Sequence, residues 1–265
     1  MLTHPTPYPD VNAVLNLLLL DAQAVLGDRF LGMYLYGSLA SGDFDPTRSD
    51  VDFVIVTDGE LPDEMIRALE AMHTRLWASG LKWAAKLEGA YVPQDALRRH
   101  TPNGAPCPSI NEGKFYVGEL GSDWVIQRHI IREHSAIVAG PEPRPMIDPV
   151  QPDDLRRAVL AILREWWAPM LDNPAWIRGR EYEAFTVLTM CRALYALEYG
   201  EIVSKPVAAR WARWARGALA ARWAALIDHA LAWSPGTQPS ELDETLMLIR
   251  HTLECGRQFE ILTEG

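Results

Sequence analysis

Residues 34–57, YLYGSLASGDFDPTRSDVDFVIVT, decide how this chain is interpreted. One apolar run ends at Gly37-Ser38, and a second apolar run begins directly after two acids, Asp50 and Asp52, that stand one residue apart. Side chains two positions apart on an extended strand point to the same face, so these carboxylates would repel each other at the start of an otherwise apolar strand. A cation between the two carboxylates removes that repulsion. The stretch therefore predicts a cation site.

Magnesium suits this pattern because Mg²⁺ takes one or two carboxylates and completes its octahedron with water and substrate phosphates. Gly37 allows the backbone to come close to a phosphate, and Ser38 offers a hydroxyl and an amide to its oxygens. Ser49, just before the acids, is a second small donor. Glu88 lies in the strand-like segment LEGAYVP (87–93), where it is either a third metal ligand or a general base for an incoming hydroxyl.

Bulk composition narrows the classes of partner. The 265 residues are 48% hydrophobic and 23% charged, which is typical of a globular protein. The net charge of −10 argues against a nucleic-acid partner, which needs clustered Lys and Arg, and weakly favours a cationic small molecule. The three cysteines lie far apart, which argues against a zinc site and a disulfide framework. The apolar run 14–20 is too short to span a bilayer, so we expect a cytoplasmic protein with no membrane partner.

The order of patterns predicts an α+β fold in two domains, 1–150 and 151–265. The first domain has helical patterns and strand-like segments, the helices at 11–26, 61–80 and 124–135 and the strands at 30–37, 51–57 and 87–93. Its residues 100–109 are predicted to form a loop, and a proline-rich linker follows at 139–152. The second domain has helical patterns only, at 153–171, 180–199, 206–233 and 240–262, which predict an all-helical bundle.

The opening stretch resembles the nucleotidyltransferase signature of the DNA polymerase β-like superfamily, in which a Gly-Ser turn holds nucleotide phosphates and two aspartates bind Mg²⁺. Three further segments resemble the bacterial streptomycin/spectinomycin adenylyltransferases. LEGAYVP (87–93) resembles the strand that carries their catalytic glutamate. IIREHSAIVAGPEPRPMIDPVQPDDL (130–155) resembles their entry into the second domain, and VLTMCRALYALEYGEIVSKPVAARWA (187–212) resembles a stretch of their helical domain. The resemblance is weakest over 94–123 and near the C-terminus.

This resemblance implies an antibiotic-resistance enzyme that transfers AMP from ATP to a hydroxyl of an aminoglycoside or aminocyclitol, releases pyrophosphate and binds its substrates between two domains. It implies a mixed-sheet nucleotidyltransferase domain followed by a helical domain, with Mg²⁺ held by Asp50 and Asp52 and with Glu88 as the catalytic base. The implied nucleotide contacts are Gly37, Ser38, Ser49, Arg192, Lys205 and Trp233. We expect the protein to act as a monomer.

The segment MLDNPAWIRGREYEAF (170–185) departs from the family. The family's streptomycin-contacting Trp and Asp have no clean equivalents in it, and a further family acid falls at Tyr182. The predicted substrate-binding residues are Asp172, Trp176, Glu181 and Glu183, although each acid is also explained as an ordinary charge at the start of a helix.

Two alternatives to the expected function therefore stay open. One is the same chemistry on a different small hydroxyl-bearing molecule, as the altered segment 170–185 suggests. The other is a nucleotide-binding regulatory protein without turnover. The intact set of Asp50, Asp52 and Glu88 argues against the second alternative, because a module that only binds a nucleotide does not need all three carboxylates.

Overall fold

The computed structural model describes residues 4–101, 104–214, 218–236 and 239–264. These residues divide into two compact units, with the division between Pro149 and Val150. Unit 1 combines a mixed sheet with helices, and unit 2 is helical over the residues described. The α+β fold class expected from the sequence is thereby confirmed.

Unit 1 contains, in its described residues, a six-stranded sheet with the order β5-β4-β3-β2-β1-β6. Its strands are β1 (Phe30–Leu35), β2 (Val51–Thr57), β3 (Leu87–Pro93), β4 (Cys107–Asn111), β5 (Lys114–Gly118) and β6 (Ala136–Ala139). β2 and β3 are parallel, and the other neighbours pair antiparallel. The parallel pair therefore lies at the centre of the sheet.

Helices cover both faces of this sheet. They are α1 (Pro9–Leu26), α2 (Gly37–Ser41), α3 (Asp63–Trp77), α4 (Gln94–Arg98) and α5 (Asp123–His134). Residues of α1 and α3 form one core with the odd-numbered residues of β2, and residues of α4 and α5 form a second core with Val54 and Val56. Strands buried on both faces read as continuous apolar runs, which explains why the sequence of β2 shows so little alternation.

The helix α1 belongs to the first of these cores. Within the described residues, Pro9–Arg29 is the one segment that is long and apolar enough, by length and composition, to cross a membrane. Val14, Leu15 and Leu18 of this segment are nevertheless fully buried against the sheet and α3. The apolar character of α1 is therefore explained by its place in the core.

Three strands of unit 1 were not predicted from the sequence. β4 begins inside the predicted loop 100–109, β5 follows it after a two-residue turn, and β6 ends at Ala139, where the expected linker begins. The turn between β4 and β5 has positive φ at both central residues, Glu112 (47°) and Gly113 (71°), which suits a tight hairpin. This hairpin was not predicted because Cys and Pro in CPSIN (107–111) interrupt the alternation of apolar and polar residues that indicates a strand.

Unit 2 consists of α6 (Pro152–Ile162), α7 (Arg180–Tyr199), α8 (Lys205–Trp214), α9 (Ala218–Leu231) and α10 (Leu242–Glu264) in the part of the chain that is described. The helix predicted over 153–171 is interrupted by a π-helical turn at Leu163–Trp167 and a 3₁₀ turn at Pro169–Leu171. A second 3₁₀ turn, Pro174–Trp176, precedes α7. The single helix predicted over 206–233 is described as two helices, and residues 215–217 lie outside the described residues.

Candidate active site

The parallel strands β2 and β3 place two predicted site carboxylates side by side. Asp52 pairs with Glu88 in the β2–β3 register. Even-numbered neighbours on the two strands, Val54 and Ala90, face the core beneath α5, so both acids point to that same side of the sheet. Adjacent strands lie about 4.8 Å apart, which is close enough for the two carboxylates to contact one ligand.

Gly37 lies directly against Asp52. Its φ of +63° is in the left-handed region, and a Cβ at this position would lie 1.9 Å from Asp52 Oδ2. The Tyr36 N–H donates a hydrogen bond of 3.2 Å to the Asp52 carbonyl, which fixes the turn onto β2. Ser38 follows in the first turn of α2, where its carbonyl accepts from the Asp43 N–H at 3.1 Å. The turn therefore presents backbone without a side chain beside Asp52, which would let a phosphate approach closely there.

Asp50 and Ser49 lie in the loop that leads into β2. Asp50 Oδ1 is 3.1 Å from Lys86 Nζ, and both side chains are partly exposed. The Ser49 hydroxyl accepts from the Asp45 N–H at 3.0 Å, and the Ser49 N–H donates to the Asp45 carbonyl at 2.8 Å. The Thr47 N–H and hydroxyl donate to Asp45 Oδ1 at 2.9 and 2.7 Å, and these two hydrogen bonds lower the pKa of Asp45. The loop before the two aspartates is thus an ordered turn.

The donor chemistry of Asp50 and Asp52 fits Mg²⁺. Across the described residues, no group of three or more His, Cys, Asp or Glu side chains is arranged to enclose a metal ion. Mg²⁺ does not need such an enclosure, since it is usually held by one or two carboxylates together with water and substrate phosphates. Gly37 supports the fit, because any side chain there would fill the space beside Asp52 Oδ2.

Three polar side chains near Glu88 were missed by the sequence analysis. Burial raises the pKa of Tyr36 well above its ordinary value, and the charges of Asp52, Glu88 and Asp123 raise it further. Burial also raises the pKa of Asp123, at the first position of α5, although backbone N–H groups oppose that effect. Partial burial raises the pKa of Tyr116 on β5, a hydrogen bond with Ser109 lowers it, and the charges of Glu88 and Asp123 raise it further.

Carboxylates from β2, β3 and the start of α5 thus surround the buried phenol of Tyr36. Such a concentration of negative charge favours a cationic ligand. Asp123 had one signal in the sequence, an acid just before a predicted helix, but nothing in the pattern linked it to Glu88. Tyr116 had none, because the hairpin that carries it was not predicted.

Two predicted residues of unit 2, Glu181 and Arg192, share one face of α7 with Phe185. Glu181, Phe185 and Arg192 are spaced by four and seven positions, which aligns them along the helix. Lys205, the first residue of α8, holds its Nζ 3.8 Å from the centre of the Phe185 ring. A cation over an aromatic face is held by the ring quadrupole. Phe185 is therefore a neighbour of Lys205 that the sequence analysis did not single out.

Glu183 does not share this face, and its predicted substrate contact has no support in the geometry. It is fully buried, and Arg180 Nη1 lies 2.8 Å from its Oε2 and 2.8 Å from Glu241 Oε2. The Ser240 hydroxyl and the Glu241 N–H donate to its two oxygens at 2.5 and 2.8 Å. Burial raises the pKa of Glu183, but these hydrogen bonds outweigh it and the net pKa is lowered. Glu183 therefore joins α7 to the start of α10.

The other predicted residues of unit 2 lie in irregular segments. Asp172 is exposed and follows the 3₁₀ turn at Pro169–Leu171, and Trp176 is 67% exposed at the end of the next turn. Trp233 is partly buried just beyond the end of α9. Their roles, and those of Arg192 and Lys205, stay predictions.

Family models match both units of the chain. Residues 28–101 match the nucleotidyltransferase domain, which includes Gly37, Asp50, Asp52 and Glu88. Residues 145–254 match the C-terminal domain of aminoglycoside adenylyltransferases. The two matches follow the same order as the mixed sheet and the helical unit.

Characterised relatives agree with these matches. An aminoglycoside (3'') (9) adenylyltransferase of Klebsiella pneumoniae is 29% identical over 192 residues, which cover 69% of this chain and 70% of the relative. A spectinomycin 9-adenylyltransferase of Staphylococcus aureus is 26% identical over 208 residues, which cover 71% and 72%. The crystal structure of a spectinomycin adenyltransferase from Enterococcus faecialis, solved with ATP and spectinomycin, shares the fold with a TM-score of 0.70, 19% identity and coverage of 91% and 98%. The chain therefore combines a match to the nucleotidyltransferase domain with a match to the C-terminal domain of aminoglycoside adenylyltransferases, in that order.

Proposed function

We propose that this protein transfers AMP from ATP to a hydroxyl of an aminoglycoside or aminocyclitol antibiotic and releases pyrophosphate. The observation that carries the proposal is the pairing of Asp52 with Glu88 across parallel strands, with the bare backbone of Gly37 beside Asp52. The family supports ATP as the co-substrate, and the names of the relatives support the class of acceptor.

Each residue then has a defined task in nucleotidyl transfer. Asp50 and Asp52 would hold Mg²⁺, which would neutralise charge on the phosphates when bound. The turn at Gly37-Ser38 receives the phosphate oxygens. Glu88 accepts the proton of the acceptor hydroxyl as its oxygen bonds to the α-phosphorus and the bond to pyrophosphate breaks. Positioning and charge stabilisation supply most of the rate enhancement in this class of reaction.

The helical unit supplies cations for the nucleotide and acids for the acceptor in this proposal. Arg192 offers a planar fork and Lys205 a point charge, which are the two ways that proteins bind phosphate. Phe185 restricts where the Lys205 ammonium can lie. Of the two acids in the first turn of α7, Glu181 is exposed and Glu183 is buried, so Glu181 replaces Glu183 as the candidate contact to an acceptor ammonium.

The acceptor is identified by measuring pyrophosphate release with ATP and Mg²⁺ across streptomycin, spectinomycin and simple aminocyclitols. We expect release with at least one of the two antibiotics, and none without an acceptor. Release with spectinomycin alone would narrow the acceptor to the aminocyclitol type, in keeping with the spectinomycin relatives. If none of these compounds gives pyrophosphate release but ATP binds in calorimetry, a different hydroxyl substrate would be favoured. Failure to bind ATP would contradict the enzymatic proposal altogether.

We also propose that the protein works as a cytoplasmic monomer without nucleic-acid or membrane partners. The net charge of −10 and the burial of α1 in the core of unit 1 support this. Light scattering at micromolar concentration tests the monomer, because a dimer would double the measured mass.

A further inference from the structure

Unit 2 contains a cavity of about 390 Å³ between the π-helical turn and α10. Its apolar wall includes Leu160, Leu163 and Leu253, and its lining shares no residue with the site predicted from the sequence, within the part of the chain described. Pockets for small molecules have volumes of roughly 300–1,000 Å³ and mostly apolar walls with a few polar groups. The cavity therefore has the size and the lining of a ligand site.

An irregular turn builds one side of this cavity. The Ala168 N–H donates a 2.9 Å hydrogen bond to the Leu163 carbonyl, five residues earlier, which is the bond of a π turn. The additional residue changes the phase of the helix, so that Leu163 and Trp167 are buried and Trp166 is 54% exposed. Such turns are rare in proteins, and many of those that occur are found at functional sites. Here the turn places Leu163 and Arg164 in the lining of the cavity.

A glycine on α10 keeps the opposite side open. Gly256 lies in the interior of a 23-residue helix and lines the cavity. Glycine in a helix interior is about 1 kcal/mol less favourable than alanine. A Cβ at this position would lie 3.0 Å from Leu160 Cδ2 and 3.6 Å from Leu163 Cδ1. Gly256 thus makes the helix less stable than an alanine would, at a position where any side chain would enter the cavity.

Three guanidinium groups also line the cavity. Arg164 pairs with Glu260 at 2.5 Å, and Arg257 pairs with Glu254 at 2.5 Å. Arg250 is exposed and has no ion-pair partner among the residues that the structure describes. Glu260 is the one acid among the lining residues, so the lining carries an excess of positive charge in a protein whose net charge is −10.

We propose that this cavity binds a small amphipathic anion. The carboxylate of such a ligand pairs with Arg250, and its apolar chain or ring lies against the leucines. Charge complementarity selects an anion, because a neutral ligand gains only a weaker hydrogen bond from a guanidinium and no ionic attraction. The apolar wall selects an amphipathic one, because an anion without apolar surface leaves the leucines in contact with water. This site is separate from the proposed transfer reaction and does not depend on it.

Calorimetry on the whole chain, without ATP or Mg²⁺, tests the proposal with octanoate as the probe. We expect one octanoate per chain. 1-Octanol should bind at least about tenfold more weakly because it lacks the charge-assisted hydrogen bond. Acetate should also bind at least about tenfold more weakly, because it lacks the apolar chain that the leucines bury. Octanol binding as tightly as octanoate would overturn the role of the arginines. Absence of octanoate binding into the millimolar range would overturn the site.

Variants locate the binding. Arg250→Gln should weaken octanoate binding at least about tenfold, and Gly256→Leu should abolish it by filling the cavity. Arg157→Gln is the matched control, because Arg157 is an exposed arginine of the same unit that does not line the cavity. Circular dichroism checks folding, and the exposed position of Arg250 keeps the test valid if Gly256→Leu does not fold. Wild-type affinity in Arg250→Gln would refute the proposal, as would a dimer in light scattering that Arg250→Gln dissociates.

Discussion

At the scale of single residues, Gly37 and Asp52 form the tightest constraint in the candidate active site. The glycine adopts a left-handed conformation and leaves no room for a Cβ beside the carboxylate oxygen. Gly42, five residues later, also has a positive φ of 76°, but a Cβ added there would have no neighbouring atom within 4 Å. The two glycines therefore separate the effect of backbone strain from the effect of contact with Asp52.

We predict that Gly37→Ala and Gly42→Ala both lower the free energy of unfolding by about 1–2 kcal/mol, the cost of a left-handed residue with a side chain. Gly37→Ala should also reduce pyrophosphate release by more than about a hundredfold, because Asp52 must move, and a misplacement of about 1 Å can cost that much. Gly42→Ala should keep its turnover. Thermal unfolding and the pyrophosphate assay measure the two effects, and normal turnover in Gly37→Ala would contradict the role of Asp52.

Glu88 is tested by Glu88→Gln, which removes the base and keeps the shape of the side chain. We expect turnover to fall by about 10²–10⁴, the range for loss of a general base, with ATP binding retained. Glu70→Gln on the exposed surface of α3 is the control and should leave turnover unchanged. Wild-type turnover in Glu88→Gln would exclude Glu88 from the mechanism.

The residues of this site were predictable to different degrees. Asp50, Asp52 and Glu88 stand out because carboxylates beside apolar strands are unusual, and the register then brings two of them together. The separation of Glu181 from Glu183 follows from helix phase, which turns residues two positions apart to opposite sides. Two partners of Glu183, Ser240 and Glu241, lie 57 and 58 residues further along the chain, and no local pattern reveals them.

At the scale of elements, the ion pair of Arg180 and Glu183 connects the start of α7 with the segment that leads into α10. Both side chains are nearly excluded from water, with 9% and 0% exposure. Removing one partner of a buried pair leaves an uncompensated charge and typically costs 3–5 kcal/mol, whereas an exposed pair contributes little. The network therefore acts on the stability of unit 2.

We predict that Glu183→Gln lowers the free energy of unfolding by about 3 kcal/mol and leaves the KM for the acceptor unchanged in the folded protein. Arg157→Gln, which breaks a pair with 71% and 41% exposed side chains, should cost less than about 1 kcal/mol. Denaturant unfolding and acceptor titrations provide the two measurements. A raised acceptor KM without a loss of stability would restore the substrate contact first expected for Glu183.

The predictability of elements depended on how much apolar pattern each one contains. β2 and β3 were predicted with their observed bounds because continuous apolar runs belong to buried parallel strands. β6 is four residues long and adjoins a proline-rich segment, so its sequence offers too few positions to show a period. The π-helical turn was not predictable, because an additional residue in a helix leaves the apolar content of the segment unchanged.

At the scale of the whole molecule, acid stability depends on a buried histidine in unit 1. His73 is 4% exposed, its Nε2 lies 2.8 Å from the Tyr91 hydroxyl, and its Nδ1 has no hydrogen-bond partner within the described residues. Burial lowers the pKa of His73 from 6.5 to about 4. The unfolded chain therefore binds a proton between these values that the folded chain does not bind, and stability decreases as the pH falls through that window.

We predict that the wild-type protein loses about 3 kcal/mol more than His73→Gln between pH 6.5 and 4, from a shift of this size. Above pH 7 the difference between the two proteins should be constant, because the histidine is neutral in both states. His4→Gln is the control, since His4 is exposed, and it should keep the wild-type slope. Denaturant unfolding across this pH range measures the effect, and parallel slopes for wild type and His73→Gln would contradict it.

The pairing of Asp52 with Glu88 also limits how this molecule can diverge over generations. A shift of one position in either strand turns its acid to the opposite face of the sheet, so an insertion or deletion within β2 or β3 removes the chemistry in one step. Exposed positions such as Trp176 and Glu181 carry no such restriction, because surface substitutions usually change stability by less than about 0.5 kcal/mol. Adaptation to a new antibiotic is therefore expected through substitutions in the helical unit, while the central strands stay as they are.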